Sequence, residues 1–146
     1  MVGQQLSVKA ASTIYGRFTK LCPRGVTSRK VASLTEKQLR GVGLSQQKAS
    51  YVVDLAHKFL DGTIDPTQFT RMTDDELRAH VVAVKGIGRW TADMFLMFTL
   101  HRPDILPTGD LGIQKGMQKI FKLKTLPTPE KMEKLSESWR PYRIVA

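Results

Sequence analysis

The sequence predicts an all-α fold, on three observations. Apolar residues recur at three- and four-residue spacing, and helix-starting Ser, Thr and Asp alternate with breaking Gly and Pro. No apolar/polar alternation runs long enough for a strand. From Gln4 to Lys20, Leu6, Ala10, Ile14 and Phe18 form the apolar stripe of an amphipathic helix, broken by Pro23 and Gly25. Thr35 and Gln38 form a capping box for a short helix through Arg40, which Gly41 and Gly43 end. Ser45 caps a longer helix, Gln46 to Leu60, with Tyr51, Leu55 and Phe59 on one stripe and Val52, Ala56 and Leu60 beside it; Gly62 stops it. Thr73-Asp74-Asp75-Glu76 repeats this capping logic, with an Asx-type start and acids at the positive end of the helix dipole, for a helix to about Val82. A tight turn, Val84 to Gly88, leads to Arg89–Leu100, apolar on nearly all sides and so expected to be a buried central helix. Pro107-Thr108-Gly109 precedes Asp110, which begins a helix to about Phe121. Pro127 and Pro129 set off a last one with Met132 and Leu135.

A chain of 146 residues suits one domain of ordinary size, and 41% hydrophobic with 25% charged residues argues against disorder or a fibre. No apolar run approaches the roughly 20 residues needed to span a bilayer, and no charged stretch followed by an apolar core opens the chain. Cys22, the single cysteine, excludes a disulfide framework and any cysteine-based zinc or iron–sulfur site within this sequence. A soluble intracellular protein is expected. The net charge of +10 is unevenly spread: residues 1–16 carry +1, residues 17–48 carry +7, residues 49–114 carry −3 and residues 115–146 carry +5. Two basic segments around an acidic middle suit a polyanionic partner such as nucleic acid, although a solvated basic surface has the same composition.

The stretch most informative about chemistry is Val82 to Phe98, a helix, a Gly-x-Gly turn and a second helix. Gly86 and Gly88 let the backbone reverse sharply and leave amide N–H groups pointing outward at a helix N-terminus, an arrangement that binds phosphate without a side chain. Ile87 between them can lock the two helices together, while Lys85 and Arg89 flank the turn and can meet adjacent phosphates. An ordinary helix–helix turn has the same glycine spacing. His57, His80 and His101 are scattered without metal-ligand spacing, and Cys22 beside Pro23 reads as a small packed hydrophobe.

Val84-Lys85-Gly86-Ile87-Gly88-Arg89-Trp90-Thr91-Ala92-Asp93-Met94-Phe95 resembles the helix-hairpin-helix of a DNA glycosylase superfamily, nearest its 3-methyladenine DNA glycosylase II branch. Two further blocks agree in order and spacing: Gln4-Gln5-Leu6-Ser7 resembles the family's Gln-Gln-Leu-Ser helix, and Pro107-Thr108-Gly109-Asp110 its Pro-x-x-Asp loop. The resemblance covers essentially the whole chain and implies a helical bundle containing a helix-hairpin-helix motif, one glycosylase core over residues 1–146. It also implies that the core is short at both ends, because family members carry residues before the first block and a final helix that Trp139-Arg140-Pro141-Tyr142-Arg143 only opens.

The site residues implied are as follows. Asp110, which by position alone reads as an N-cap, is the catalytic carboxylate that stabilises oxocarbenium-like charge at C1′ and positions or deprotonates the attacking water; the two roles are compatible. Trp90 stands where relatives that also cleave the backbone carry a Schiff-base lysine, which implies a monofunctional enzyme with water as nucleophile. Its indole offers a π face to a flipped, cationic alkylated base, or else packs in the core; Met94, one turn on, shares the base pocket. Lys85, Gly86, Ile87, Gly88, Arg89 and Thr91 bind the DNA backbone. Leu44, Ser45 and Gln46 form the wedge loop that fills the gap left by a flipped nucleotide, or a plain capping loop. Gln4 and Gln5 lie near the DNA-facing cleft or are simply solvated.

The implied function is hydrolysis of the N-glycosidic bond of alkylated purines in duplex DNA, initiating base excision repair; the alternative is a non-catalytic helix-hairpin-helix DNA-binding protein. The expected partner is damaged double-stranded DNA, with no membrane, no iron–sulfur cluster, no metal and no cofactor. A monomer is expected, in the nucleus of a eukaryote or otherwise in the cytoplasm.

Overall fold

The computed structural model describes residues 6–145, and among them every regular element is helical: eight α-helices, two short 3-10 turns and no strand. The all-α expectation holds. The chain divides into two compact units. One is built from the residues up to Arg71 together with Ala83–Ile87, the other from Met72–Val82 and from Gly88 onward.

In the first unit, α1 (Val8–Lys20) is capped by Ser7, whose Oγ accepts from the Ala10 amide at 3.3 Å. Gln4 and Gln5 lie outside the described residues. α2 (Ser28–Ala32) is an element that periodicity does not predict, because five residues are barely more than one turn. α3 (Glu36–Gly41) opens on the expected capping box: the Gln38 amide donates to Thr35 Oγ1 at 3.2 Å and the Thr35 amide to Gln38 Oε1 at 2.9 Å. It takes in Gly41, and the left-handed residue after it is Gly43, at φ +105°. α4 (Gln46–Leu60) starts where expected, with Ser45 Oγ accepting from the Lys48 amide at 3.2 Å, and ends before Gly62 at φ +78°. α2 and α3 both pack on α4, and Phe18, Val31, Leu39, Leu44, Ala49 and Val52 belong to the core they enclose. Cys22 is buried in the same core, as its apolar reading anticipates.

In the second unit, α5 (Asp74–Val82) begins with a reciprocal pair: the Glu76 amide donates to Thr73 Oγ1 at 3.3 Å and the Thr73 amide to Glu76 Oε2 at 2.8 Å. The start is therefore a threonine–glutamate box, which corrects the Asx-type expectation. α6 (Arg89–Phe98) packs on α5. It is not buried all round: Ala92, Asp93, Leu96 and Met97 are buried, whereas Trp90 and Phe98 are exposed. The buried positions recur at helical spacing, so one stripe is covered however apolar the remaining faces are. Asp93, fully buried, accepts from Arg78 Nε at 2.7 Å, and Arg78 also bonds Asp75. A charge at zero exposure is tolerable because a guanidinium from α5 meets it.

α7 (Leu111–Ile120) and α8 (Pro129–Leu135) complete this unit. Leu106, Met117 and Met132 form a core joined by Phe121, Leu135 and Trp139. The chain beyond α8 is tied back by Asp104, whose two oxygens accept from Arg143 Nε and Arg140 Nη1, each at 2.6 Å. Burial would raise the Asp104 pKa, but the two guanidiniums hold it below the usual carboxylate value.

Candidate active site

The Val84–Gly88 turn closes with the Ile87 amide donating to the Val84 carbonyl at 3.1 Å. Of its two glycines, only Gly86 is left-handed, at φ +80°. A Cβ there would stand 2.0 Å from Tyr51 Cδ2, so the position also excludes a side chain on steric grounds. Gly88 has an ordinary φ of −87° and is the N-cap of α6, with no side chain capping that terminus. Lys85 and Arg89 are exposed on either side of the turn, while Ile87 and Thr91 are half-buried. These features match an open helix N-terminus with cations beside it.

Asp110 follows the buried run Ile105–Thr108 and is the N-cap of α7. Its Oδ1 accepts from the Ile113 amide at 3.1 Å, and its Oδ2 accepts from Trp90 Nε1 at 2.6 Å. The indole bond lowers the Asp110 pKa most, helped by the backbone amides of Ile113 and Gly112 against a small opposing effect of burial. The carboxylate is thus ionised at neutral pH, fixed at both oxygens and still half-exposed. Trp90 is not core: the residue is 47% exposed, with the indole N–H committed to Asp110. Met94, half-buried, lies one turn on along α6.

The proposed wedge loop divides. Leu44, at 4% exposure, belongs to the core of the first unit, which corrects its reading as a projecting apolar side chain. Ser45 is committed to capping α4. Gln46 is exposed and is the loop's presentable side chain. Sequence reasoning missed three contacts: Trp90 to Asp110, Tyr51 to Gly86, and Arg78 to Asp93. The stripe that includes Tyr51 was legible, but what a stripe residue touches across the fold has no signature in spacing. Among the described residues no group of three or more His, Cys, Asp or Glu could hold a metal ion, and no helix is long and apolar enough to cross a membrane.

Known proteins resemble this chain along nearly all of its length. DNA-3-methyladenine glycosylase 1 of Schizosaccharomyces pombe is 33% identical over 150 residues, covering 100% of this chain and 65% of that protein. The crystal structure of a DNA-3-methyladenine glycosidase from Bacillus halodurans superposes with a TM-score of 0.90 at 33% identity, over 99% of this chain and 67% of that one. An S. pombe 3-methyladenine DNA glycosylase, solved in complex with abasic DNA, gives 0.79 at 32% identity, over 98% of this chain and 71% of that one. The chain thus spans about two thirds of the length of these relatives. The family model of the HhH-GPD superfamily base excision DNA repair proteins matches residues 1–141, and the chain belongs to that superfamily.

Proposed function

We propose that this chain is a monofunctional DNA glycosylase that hydrolyses the N-glycosidic bond of alkylated purines, of the 3-methyladenine type, in duplex DNA. The observation that carries this reading is the Asp110 carboxylate, kept ionised and bonded at Oδ2 to an exposed indole. An alkylated purine is already cationic, so its bond to C1′ breaks with the electron pair leaving on the base and without prior protonation. Positive charge then develops on the sugar. A fixed, ionised carboxylate stabilises it, and its remaining lone pairs orient the water that attacks C1′ and receive that water's proton. The exposed face of Trp90 stacks on the flipped cationic base, and Met94 lines the same pocket. Backbone amides at Gly86 and Gly88, with Ile87, Arg89, Thr91 and Lys85 around them, hold the DNA backbone. Gln46, with Ser45 fixing the loop, fills the vacated stack. The protein acts as a monomer, within the nucleus of a eukaryote or the cytoplasm of a prokaryote, without a cofactor.

The deciding experiment is base release from methylated duplex DNA by the 146-residue chain and its Asp110→Asn variant, alongside duplex binding and borohydride trapping. Expected are release by the parent, a loss of about a hundredfold or more in the variant with binding retained, and no trapped adduct. Release at the parental rate by the variant removes Asp110 from the chemistry, and a borohydride-trapped adduct refutes the water mechanism. DNA binding with no release by the parent leaves a non-catalytic DNA-binding protein.

A further inference from the structure

Gly86 is the point at which the hairpin turn reverses, and the space a side chain would fill there is taken by an aromatic ring. A Cβ on Gly86 would stand 2.0, 2.4 and 2.7 Å from Cδ2, Cε2 and Cγ of Tyr51. Tyr51 lies on α4, half-buried, and its hydroxyl accepts from Gln47 Nε2 at 2.7 Å, one helical turn earlier. The ring is therefore held at both ends, by the Gly86 backbone and by Gln47. We infer that Tyr51 is a positioning residue for the DNA-backbone hairpin, its ring fixing the left-handed Gly86 turn so that the hairpin amides are already aimed at a phosphate before DNA arrives.

This inference rests on the proposed role of the hairpin as a phosphate site. Such a site is made of main-chain donors and depends on the turn's conformation more than a side-chain contact would, because no rotamer can adjust to recover a misaimed amide. The Gly86 turn is packed against the Tyr51 ring, within one compact unit of the chain. Removing that packing leaves the same atoms present but requires them to be ordered at the moment of binding, which weakens affinity without touching the reacting groups.

The test measures binding of undamaged duplex DNA by anisotropy across a salt series, and single-turnover base release from methylated DNA at saturating protein. The proteins compared are the parent, Tyr51→Ala, Tyr51→Leu, Tyr51→Phe and a Lys85→Ala/Arg89→Ala control, with helix content checked for each. Tyr51→Ala and Tyr51→Leu should bind about tenfold more weakly with the slope of log affinity against log salt unchanged, because main-chain donors carry no charge that releases counterions. Tyr51→Phe keeps the ring and should remain within about twofold of the parent. The release rate at saturation should be unchanged in all three. The inference is overturned if the Leu variant, folded as the parent, binds with parental affinity or loses salt slope, or if Phe falls as far as Leu. It is equally overturned if the saturated release rate falls while binding holds. If the Lys85/Arg89 control also binds like the parent, the phosphate-site reading of the hairpin fails as well. A weakened control beside an unaffected Tyr51→Leu sinks the Tyr51 role alone.

Discussion

At the scale of single residues, the Asp110 carboxylate holds two donors, the Ile113 amide of its own helix and the Trp90 indole of α6. A carboxylate after Pro-Thr-Gly is legible as a helix cap, and it does cap α7 through the Ile113 amide. Its second oxygen is bonded to an indole twenty positions earlier, which spacing does not reveal. That bond is the largest influence lowering the Asp110 pKa, so replacing Trp90 by Phe keeps an aromatic face while removing the donor. Since the folded-state value is depressed, the stability Asp110 contributes is present above its unfolded-state pKa and lost as pH falls through the folded one. Trp90→Phe should move that loss, and the acid limb of base release, to higher pH. Titrating the 13C-labelled carboxyl by NMR checks this: an unshifted midpoint would show that the indole bond does not hold the charge.

At the scale of elements, capping chemistry was the most transferable signal. Thr35 with Gln38 and Ser45 both act where the sequence places them, because a cap is a contact across three residues and needs no tertiary information. The burial of α6 departs from its apolar composition for the opposite reason. Its apolar content says nothing about which stripe faces a neighbour, and the one buried acid, Asp93, is explained only once α5 brings Arg78 to it. The hairpin glycine shows the same divide. Left-handed backbone at Gly86 and Gly62 is nearly identical, φ +80° and +78°, but Gly62 faces open space and Gly86 faces the Tyr51 ring. Gly62→Ala should therefore cost only the backbone strain, about 1 kcal/mol. Gly86→Ala should cost about 2–4 kcal/mol, since strain is joined by a collision that must displace a ring. Urea unfolding of the two variants makes the comparison, and equal losses would mean that the ring yields freely.

At the scale of the whole molecule, the charge acquires an address. The expectation of two basic segments around an acidic middle followed chain order, but the units do not, since Ala83–Ile87 belongs with the N-terminal part. Assigned by unit, the residues up to Arg71 with Ala83–Ile87 carry +8 of the net +10, and the rest carries +2. Ion pairing sorts the individual cations further. In the second unit Arg78, Arg102, Arg140 and Arg143 are each bound to carboxylates. Cations already neutralised by a neighbour release few counterions on meeting DNA, so these four should contribute little to the salt dependence of binding, whereas cations of the first unit that lie outside such pairs should contribute to it. Arg29 and Lys30, exposed and half-buried on α2, are a fair sample of it. Arg29→Ala with Lys30→Ala should weaken binding of undamaged duplex similarly across sequences and reduce the salt slope by about two units, one per phosphate contact. Arg140→Ala removes a base of the same formal charge from a site bracketed by Asp104, Glu133 and Glu137, and should leave the slope unchanged. If the two proteins lose slope equally, net charge alone governs DNA association and its placement in the fold is irrelevant. A loss confined to the α2 variant makes these cations of the first unit part of the electrostatic grip, while the chemistry proposed for Asp110 belongs to the other unit.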